Sequence, residues 1–184
     1  MLKSTPRPLT AHDYRELPDG PPYSQLIEGE LYMSPSPNWL HQQILTNLAD
    51  ILLHYLRKKR IGKVYFAPFD TYLTDLNVYQ PDLLFISTAR TSILSPEGVQ
   101  GAPDFVVEIL SPRTAKYDRG AKRDIYARTG VEELWIVDPE LKTVQVYRFA
   151  ESPDAPIATY NEKQKFTTSI FPGLMIPVAD VFKQ

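Results

Sequence analysis

Apolar residues recur along this chain with two different periods, and these periods predict both helices and strands. The residues from Leu40 to Leu56 follow a 3.6-residue period, so we expect a long helix here. Asn38 is suited to cap its start, and Gly62 is expected to stop it. A second helix is predicted from about Tyr117 to Arg128, ended by Gly130.

Short apolar runs between turn residues predict strands. The run Asp104–Leu110 is apolar on both faces, as a central buried strand should be. Its connection to the strand ending at Val137 should be a right-handed crossover between parallel strands. Short helices are also expected at Thr10–Glu16 and Val178–Phe182. The strand or strand-pair predictions are Gln25–Met33, Val64–Ala67, Thr71–Thr74, Asp82–Ser87, Asp104–Leu110, Glu133–Val137, Thr143–Phe149 and Lys165–Ile170.

This order of elements predicts an α/β (α+β) fold with a mixed central β-sheet flanked by helices. The 184 residues suit a single domain, which we place at residues 23–184. Residues 1–22 are proline-rich and polar, and we expect an N-terminal extension there. The segment 151–162 is expected to be an exposed and mobile loop.

Composition removes several classes of function. The chain has no cysteine, which excludes disulfides, thiolate metal sites and cysteine nucleophiles, and its three histidines make a histidine-rich metal site improbable. The start of the chain lacks the apolar segment of a secretory signal, and no apolar run approaches the ~20 residues of a membrane span. We therefore expect a cytoplasmic protein that does not enter the membrane.

Positive charge is concentrated in one segment of an otherwise acidic chain. The formal net charge is -2, yet six basic residues and only two acidic residues lie between Arg113 and Arg128. This segment is either a surface that faces phosphates or a solvated helix face, which is the commoner meaning of a charge run.

Two acidic residues have surroundings that need an explanation. Glu108 is surrounded by apolar neighbours in the predicted central strand, and a buried carboxylate requires a cation or a metal. Asp82 follows Pro81 at the mouth of another apolar strand. Each acid has a structural alternative, an ion pair for Glu108 and a strand-start residue for Asp82. As a pair they suit Mg²⁺ (or Mn²⁺), with the backbone carbonyl of Ile109 as a further ligand.

The sequence around these acids resembles the PD-(D/E)xK nuclease motif, and the fuller pattern is similar to the Uma-two family of restriction endonucleases. The resemblance covers roughly residues 23–150. It implies a restriction-endonuclease-like fold and a metal-dependent nuclease. It is carried by Leu26-Ile27-Glu28-Gly29-Glu30-Leu31, His41, Gln80-Pro81-Asp82-Leu83, Pro103-Asp104, Glu108-Ile109-Leu110-Ser111-Pro112-Arg113-Thr114, Tyr117-Asp118, Lys122, Gly130-Val131 and Leu134-Trp135-Ile136-Val137-Asp138-Pro139.

The resemblance also implies roles for individual residues. The motif expects a lysine where this chain has Leu110, and Lys122 on the following helix is the best replacement, with Lys116 second. The alternative for Lys122 is an i,i+4 salt bridge with Asp118. An N-terminal acid, Glu28, is implied as a catalytic residue, although the Glu-Gly-Glu spacing equally suits a strand turn.

Three other residues are interpreted mainly as structural, although His41 could contact substrate. Tyr126 is expected to pack beneath Lys122, and Trp135 is expected in the core.

Two functions remain open at this point. In the first, a Mg²⁺-dependent endonuclease uses Asp82, Glu108 and Lys122 to cleave DNA, and a homodimer supplies the two sites that double-strand cleavage needs. Its DNA backbone contacts would come from Arg113, Lys116, Arg119 and Arg123. In the second, the same fold is a catalytically weak or inactive module that binds nucleic acid or a partner protein.

Overall fold

A computed structural model describes residues 7–18, 20–34 and 36–184 of the chain. The helices are α1 (Ala11–Arg15), α2 (Trp39–Lys59), α3 (Ala115–Tyr117), α4 (Arg123–Thr129) and α5 (Val178–Val181). The strands are β1 (Ser24–Ile27), β2 (Glu30–Met33), β3 (Gly62–Phe66), β4 (Thr71–Thr74), β5 (Asn77–Tyr79), β6 (Leu83–Ser87), β7 (Leu94–Ser95), β8 (Gly98–Gln100), β9 (Phe105–Ile109), β10 (Glu133–Asp138), β11 (Thr143–Arg148), β12 (Ala158–Asn161), β13 (Lys165–Thr167) and β14 (Met175–Pro177).

The central sheet has six strands in the order β12-β11-β10-β9-β6-β3. Strands β9 and β10 are parallel, whereas the other neighbours are antiparallel. The predicted mixed central sheet and the parallel pair joined through a helical segment are therefore confirmed.

Each face of the central sheet carries its own apolar core. Alternate residues of β9 separate to the two faces, as side chains of a strand must. Phe105 and Val107 pack with the buried side of α2, including Leu48. Val106 packs on the opposite face with Tyr126 of α4.

A second six-stranded sheet, in the order β2-β1-β5-β4-β8-β7, contains the predicted strands β1, β2 and β4 and three strands that were not predicted, β5, β7 and β8. Three of its strands are only two or three residues long, so they give no measurable alternation in the sequence. Helix α1 packs against this sheet through Ala11 and Tyr14. The predicted boundary between residues 1–22 and residues 23–184 stays a prediction.

The long helix begins as predicted and ends at Lys59, within the predicted basic stretch Arg57–Arg60, but Arg60 rather than Gly62 stops it. The Asn38 side chain accepts a hydrogen bond from His41 N, and Arg60, in the left-handed conformation (φ 53°), ends the helix. Gly62 instead begins β3. A Cβ atom at Gly62 would lie 2.3 Å from the Ile86 carbonyl oxygen, so this residue permits close approach of β6.

Two other predictions were wrong. The predicted helix Tyr117–Arg128 is interrupted by a π-helical turn at Asp118–Lys122, within which Gly120 leaves helical geometry (φ −116°, ψ −109°). The predicted loop 151–162 contains β12, which pairs with β11 and adds a strand to the sheet.

None of the helices in the described part of the chain has the length and apolar character needed to cross a lipid bilayer.

Candidate active site

The pairing of β6 with β9 brings Asp82 beside Glu108. Leu83 is opposite Val107 in this antiparallel pair, so Asp82, one residue before β6, reaches the end of β9. The Ile109 backbone N–H donates to Asp82 Oδ2 over 2.7 Å. Strand register thus joins two acids that are 26 residues apart in the sequence.

His41, in the first turn of α2, holds the same oxygen of Asp82. Its Nε2 lies 3.2 Å from Asp82 Oδ2, and its Nδ1 is buried without a hydrogen bond to any described residue. Burial alone would lower the pKa of His41, but the hydrogen bond and charge of Asp82, the charge of Asp118 and the Ile109 backbone together raise it. The raised pKa favours protonation of the imidazole, and a protonated Nε2 can donate to the Asp82 carboxylate.

Glu108 lies on the face of β9 that α4 covers, and two donors converge on one of its oxygens. Lys122 Nζ is 2.7 Å from Glu108 Oε1, and the Tyr126 hydroxyl donates to the same oxygen over 2.5 Å. The other oxygen, Oε2, makes no hydrogen bond to the described residues.

Lys122 is shared between two buried carboxylates. Its Nζ also lies 2.9 Å from Asp118 Oδ1 and 5.7 Å from the centre of the Tyr79 ring. The Tyr79 ring in turn packs edge-to-face against Tyr126. The i,i+4 pair of Lys122 with Asp118 is therefore present, and Lys122 also contacts Glu108. Its catalytic role stays a prediction.

Burial and neighbouring charge move the pKa values of this cluster in defined directions. Burial is the largest influence on Glu108 and raises its pKa to about 8; Lys122 opposes this change, while Asp118 and Asp82 add to it. Burial would lower the pKa of Lys122, but Asp118 and Glu108 outweigh burial and raise it, so the ammonium stays charged.

The π-helical turn explains how one short segment supplies two groups to the cluster. The turn brings Asp118 and Lys122 to the same buried position, and Tyr126 follows one turn later in α4. Asp118 and Tyr126 were not among the predicted site residues. In the sequence, Asp118 and Tyr126 lie four residues before and four residues after Lys122. This helical spacing was the pattern that could have indicated that both residues lie beside Lys122.

These residues lie in a cleft with a volume of about 960 Å³. One wall, which we call the charged wall, carries five acidic and three basic residues. They are Asp82, Glu108, Asp118, Asp138, Glu140, Arg113, Arg119 and Lys122. A second set of lining residues, which we call the neutral wall, consists of Tyr23, Gln25, Ser34, Ser36, Pro37, Asn38, Leu40, His41, Gln42, Leu45, Ala67, Pro68 and Gln80. His41 is its sole ionisable group apart from the tyrosine hydroxyl of Tyr23.

The structure separates the other predicted site residues. Ile109 lines the cleft beside Glu108. Glu28 does not line it; this residue is exposed in the β1–β2 turn with a positive φ of 51°, and its N–H donates to Asn77 Oδ1. This position matches the strand-turn alternative.

The four predicted phosphate-contacting residues also differ from one another. Arg113 and Arg119 line the cleft, but Arg119 donates to Asp138 Oδ2 over 2.7 Å. Arg123 pairs with Asp124 and donates to the Asp154 carbonyl, away from the cleft. Lys116 is exposed and does not line the cleft.

The donor set fits a hard divalent cation with few protein ligands. Asp82 and Glu108 each engage their described partners through one oxygen, Oδ2 and Oε1 respectively. Residues 7–18, 20–34 and 36–184 contain no group of three or more His, Asp or Glu side chains arranged to hold a metal. Mg²⁺ commonly takes only one or two carboxylates and completes its shell with water and phosphate oxygens.

The fold and cleft define a restriction-endonuclease-like protein, and comparison with known proteins agrees. A crystal structure described as that of "a putative nuclease belonging to DUF820" from Anabaena variabilis ATCC 29413 superposes with a TM-score of 0.80 at 23% identity. The match covers 95% of this chain and 98% of that one, and it establishes a shared fold.

The family model named Uma2, described as "Putative restriction endonuclease", matches residues 11–179. The chain belongs to this Uma2 (Uma-two) family. No curated protein matches the chain.

Proposed function

We propose that this protein is a metal-dependent endonuclease that hydrolyses DNA phosphodiester bonds. The observation that carries the proposal is the meeting of Asp82, Glu108 and Lys122 in one cleft, with Lys122 Nζ 2.7 Å from Glu108 Oε1. A pair of carboxylates with an adjacent ammonium is the chemistry that such hydrolysis requires.

In this proposal Asp82 and Glu108 hold Mg²⁺ or Mn²⁺, with the Ile109 carbonyl as a further oxygen ligand. When bound, the ion supplies a Lewis acid for the phosphoryl oxygens and lowers the pKa of a coordinated water. Lys122 stabilises the negative charge that develops on the phosphate. His41 positions the Asp82 carboxylate through its 3.2 Å contact with Oδ2.

The absence of a lysine two residues after Glu108 does not conflict with this assignment. Leu110 occupies that position and packs into the core beside Val106. Lys122 reaches the Glu108 carboxylate from the π-helical turn instead. Asp118 keeps Lys122 charged and limits its movement.

Cleavage of circular DNA with Mg²⁺ and with Mn²⁺ tests the proposal. We expect wild-type protein to cut only with a divalent metal, and Asp82→Asn and Glu108→Gln to abolish cutting while the protein remains folded by circular dichroism. Glu133→Gln is the matched control, because Glu133 is equally buried but does not line this cleft. Metal-independent cutting, or cutting that survives both substitutions, would refute the assignment.

One observation favours the second candidate, a catalytically weak or inactive module that binds nucleic acid or a partner. Acidic residues outnumber basic ones on the charged wall, and both Arg119 and Lys122 are already in ion pairs. Folded wild-type protein that cuts no DNA with either metal, yet binds it, would favour this candidate.

The predicted homodimer and cytoplasmic location stay predictions. A chain with one cleft would cut one strand at a time, so double-strand cleavage would require two copies. Sedimentation of the protein with and without DNA tests the dimer.

A further inference from the structure

The neutral wall gives the cleft a second chemical character that metal-assisted hydrolysis does not use. Apart from His41, its polar members are uncharged hydroxyl and amide side chains, which can both donate and accept hydrogen bonds. They are Tyr23, Gln25, Ser34, Ser36, Asn38, Gln42 and Gln80. Such a lining can form hydrogen bonds with the edges of unpaired nucleobases.

Aromatic surface is exposed on and beside this wall. Tyr23 lines the cleft and is 42% exposed, although tyrosines of a folded domain usually bury their rings. Trp39 is 68% exposed; it does not itself line the cleft, whereas its sequence neighbours Asn38 and Leu40 do. Exposed aromatic rings beside a nucleic-acid cleft serve as platforms on which unpaired bases stack.

The depth of the charged cluster limits what can reach it. Glu108 and Lys122 are each only 3% exposed, so a phosphodiester must enter the cleft to contact them. A nucleotide in a duplex is held by pairing and stacking, and moving it into a recess costs that interaction energy. An unpaired nucleotide enters with its base free to contact the neutral wall.

We propose that the substrate of this cleft is DNA with unpaired nucleotides, whose bases stack on Tyr23 and Trp39 while the phosphate contacts the charged wall. This inference rests on the proposed endonuclease function and specifies its substrate class. The occupant is nucleic acid rather than a second protein copy, because the Tyr23 ring lines the same cleft as Asp82 and Glu108.

Tryptophan fluorescence reports this contact directly. The chain has two tryptophans, and the other, Trp135, is fully buried in the core. In a Glu108→Gln background, which prevents cleavage, single-stranded oligodeoxynucleotide should quench the emission of Trp39. The same strand in a duplex should quench it less, and Trp39→Phe should remove the response while the Trp135 signal remains.

Substitution at the neutral wall supplies the second readout. We expect Tyr23→Ala to weaken single-strand binding on the order of tenfold, and Tyr23→Phe to restore most of the affinity, because the ring is what stacks. Met175→Ala is the control, since Met175 is also exposed but does not line the cleft.

The outcomes separate this inference from the function on which it rests. Efficient cleavage of duplex DNA with no preference for single strands, no Trp39 quenching and no effect of Tyr23→Ala would overturn the substrate class and leave the endonuclease intact. Trp39 emission that depends on protein concentration before DNA is added would show that a second copy covers the ring, which also overturns it. Failure to cut either form of DNA would overturn both proposals.

Discussion

Glu108 and Glu133 lie on the neighbouring parallel strands β9 and β10, and both carboxylates are almost wholly buried (3% and 1% exposed). They differ in how their oxygens are used. Glu133 Oε1 accepts from Trp135 Nε1 and Oε2 accepts from Arg148 Nε, so both oxygens have a donor. At Glu108 both donors converge on Oε1.

This comparison shows that burial of an acid does not by itself indicate a functional site. Glu133 is satisfied within the protein, and its negative charge is balanced by Arg148. Glu108 has a second carboxylate, Asp82, at the same end of the sheet and keeps one oxygen without a described donor. The difference lies in unused ligand capacity within a cleft rather than in burial.

The largest expected effect is that of Lys122→Met, which removes the cation shared by Glu108 and Asp118. Losing one member of a buried ion pair costs about 3–5 kcal/mol, because the remaining charges stay buried. We also expect cleavage to fall on the order of 10²-fold. Urea denaturation and cleavage rates measure the two effects. Stability equal to wild type would contradict the ion-pair geometry.

Glu133→Gln tests whether the second buried glutamate contributes to stability but not to cleavage. The amide cannot accept from both Trp135 and Arg148, so we expect a loss of about 1–3 kcal/mol in the free energy of unfolding. Cleavage per folded molecule should be unchanged. A large loss of cleavage in protein that remains folded would show that Glu133 belongs to the site.

Tyr126→Phe removes one donor from Glu108 without changing the shape of the core. A hydrogen bond to a charged group contributes about 1.5–3 kcal/mol, and Lys122 still holds the same oxygen, so we expect a stability loss near the lower value. Thermal unfolding measures it. A loss in stability as large as that of Lys122→Met would contradict this expectation. It would show that Lys122 cannot hold Glu108 without the Tyr126 hydroxyl.

The pH dependence of stability should come from Glu108. Its pKa is raised from an ordinary value of 4.5 to about 8, so the folded chain binds a proton that the unfolded chain releases between these values. The stability that Glu108 contributes should therefore fall as pH rises through about 8. Metal affinity should rise over the same interval, since a proton competes with the metal. Glu108→Gln should flatten the stability profile, because the titrating carboxyl group is gone.

The sequence predicted the two acids because each stands next to an apolar strand, a local pattern. It predicted Lys122 only with help from family resemblance. Lys122 and Tyr126 both contact Glu108 Oε1, and this arrangement depends on a π-helical turn that interrupts the helix expected from Tyr117 to Arg128. No periodicity in the sequence encodes that turn, so the i,i+4 pair of Asp118 with Lys122 was predicted but the burial of both residues beside Glu108 was not.

The distinction between Glu108 and Glu133 was also beyond sequence reasoning. It depends on which strand faces Arg148 and which faces Lys122, and these partners come from elements that only the folded chain brings together. Similarly, the short strands of the second sheet carry Tyr79, which packs against Tyr126 beneath the cluster. The central sheet and long helix, by contrast, follow from strong local patterns.

Direct metal binding tests the central claim that Glu108 has unused ligand capacity and Glu133 does not. Isothermal titration calorimetry with Mn²⁺ should give one class of binding site in wild-type protein and in Glu133→Gln. The same titration of Glu108→Gln should show binding weakened beyond detection, with its fold verified by circular dichroism. Equal Mn²⁺ affinity in Glu108→Gln and wild type would contradict the account.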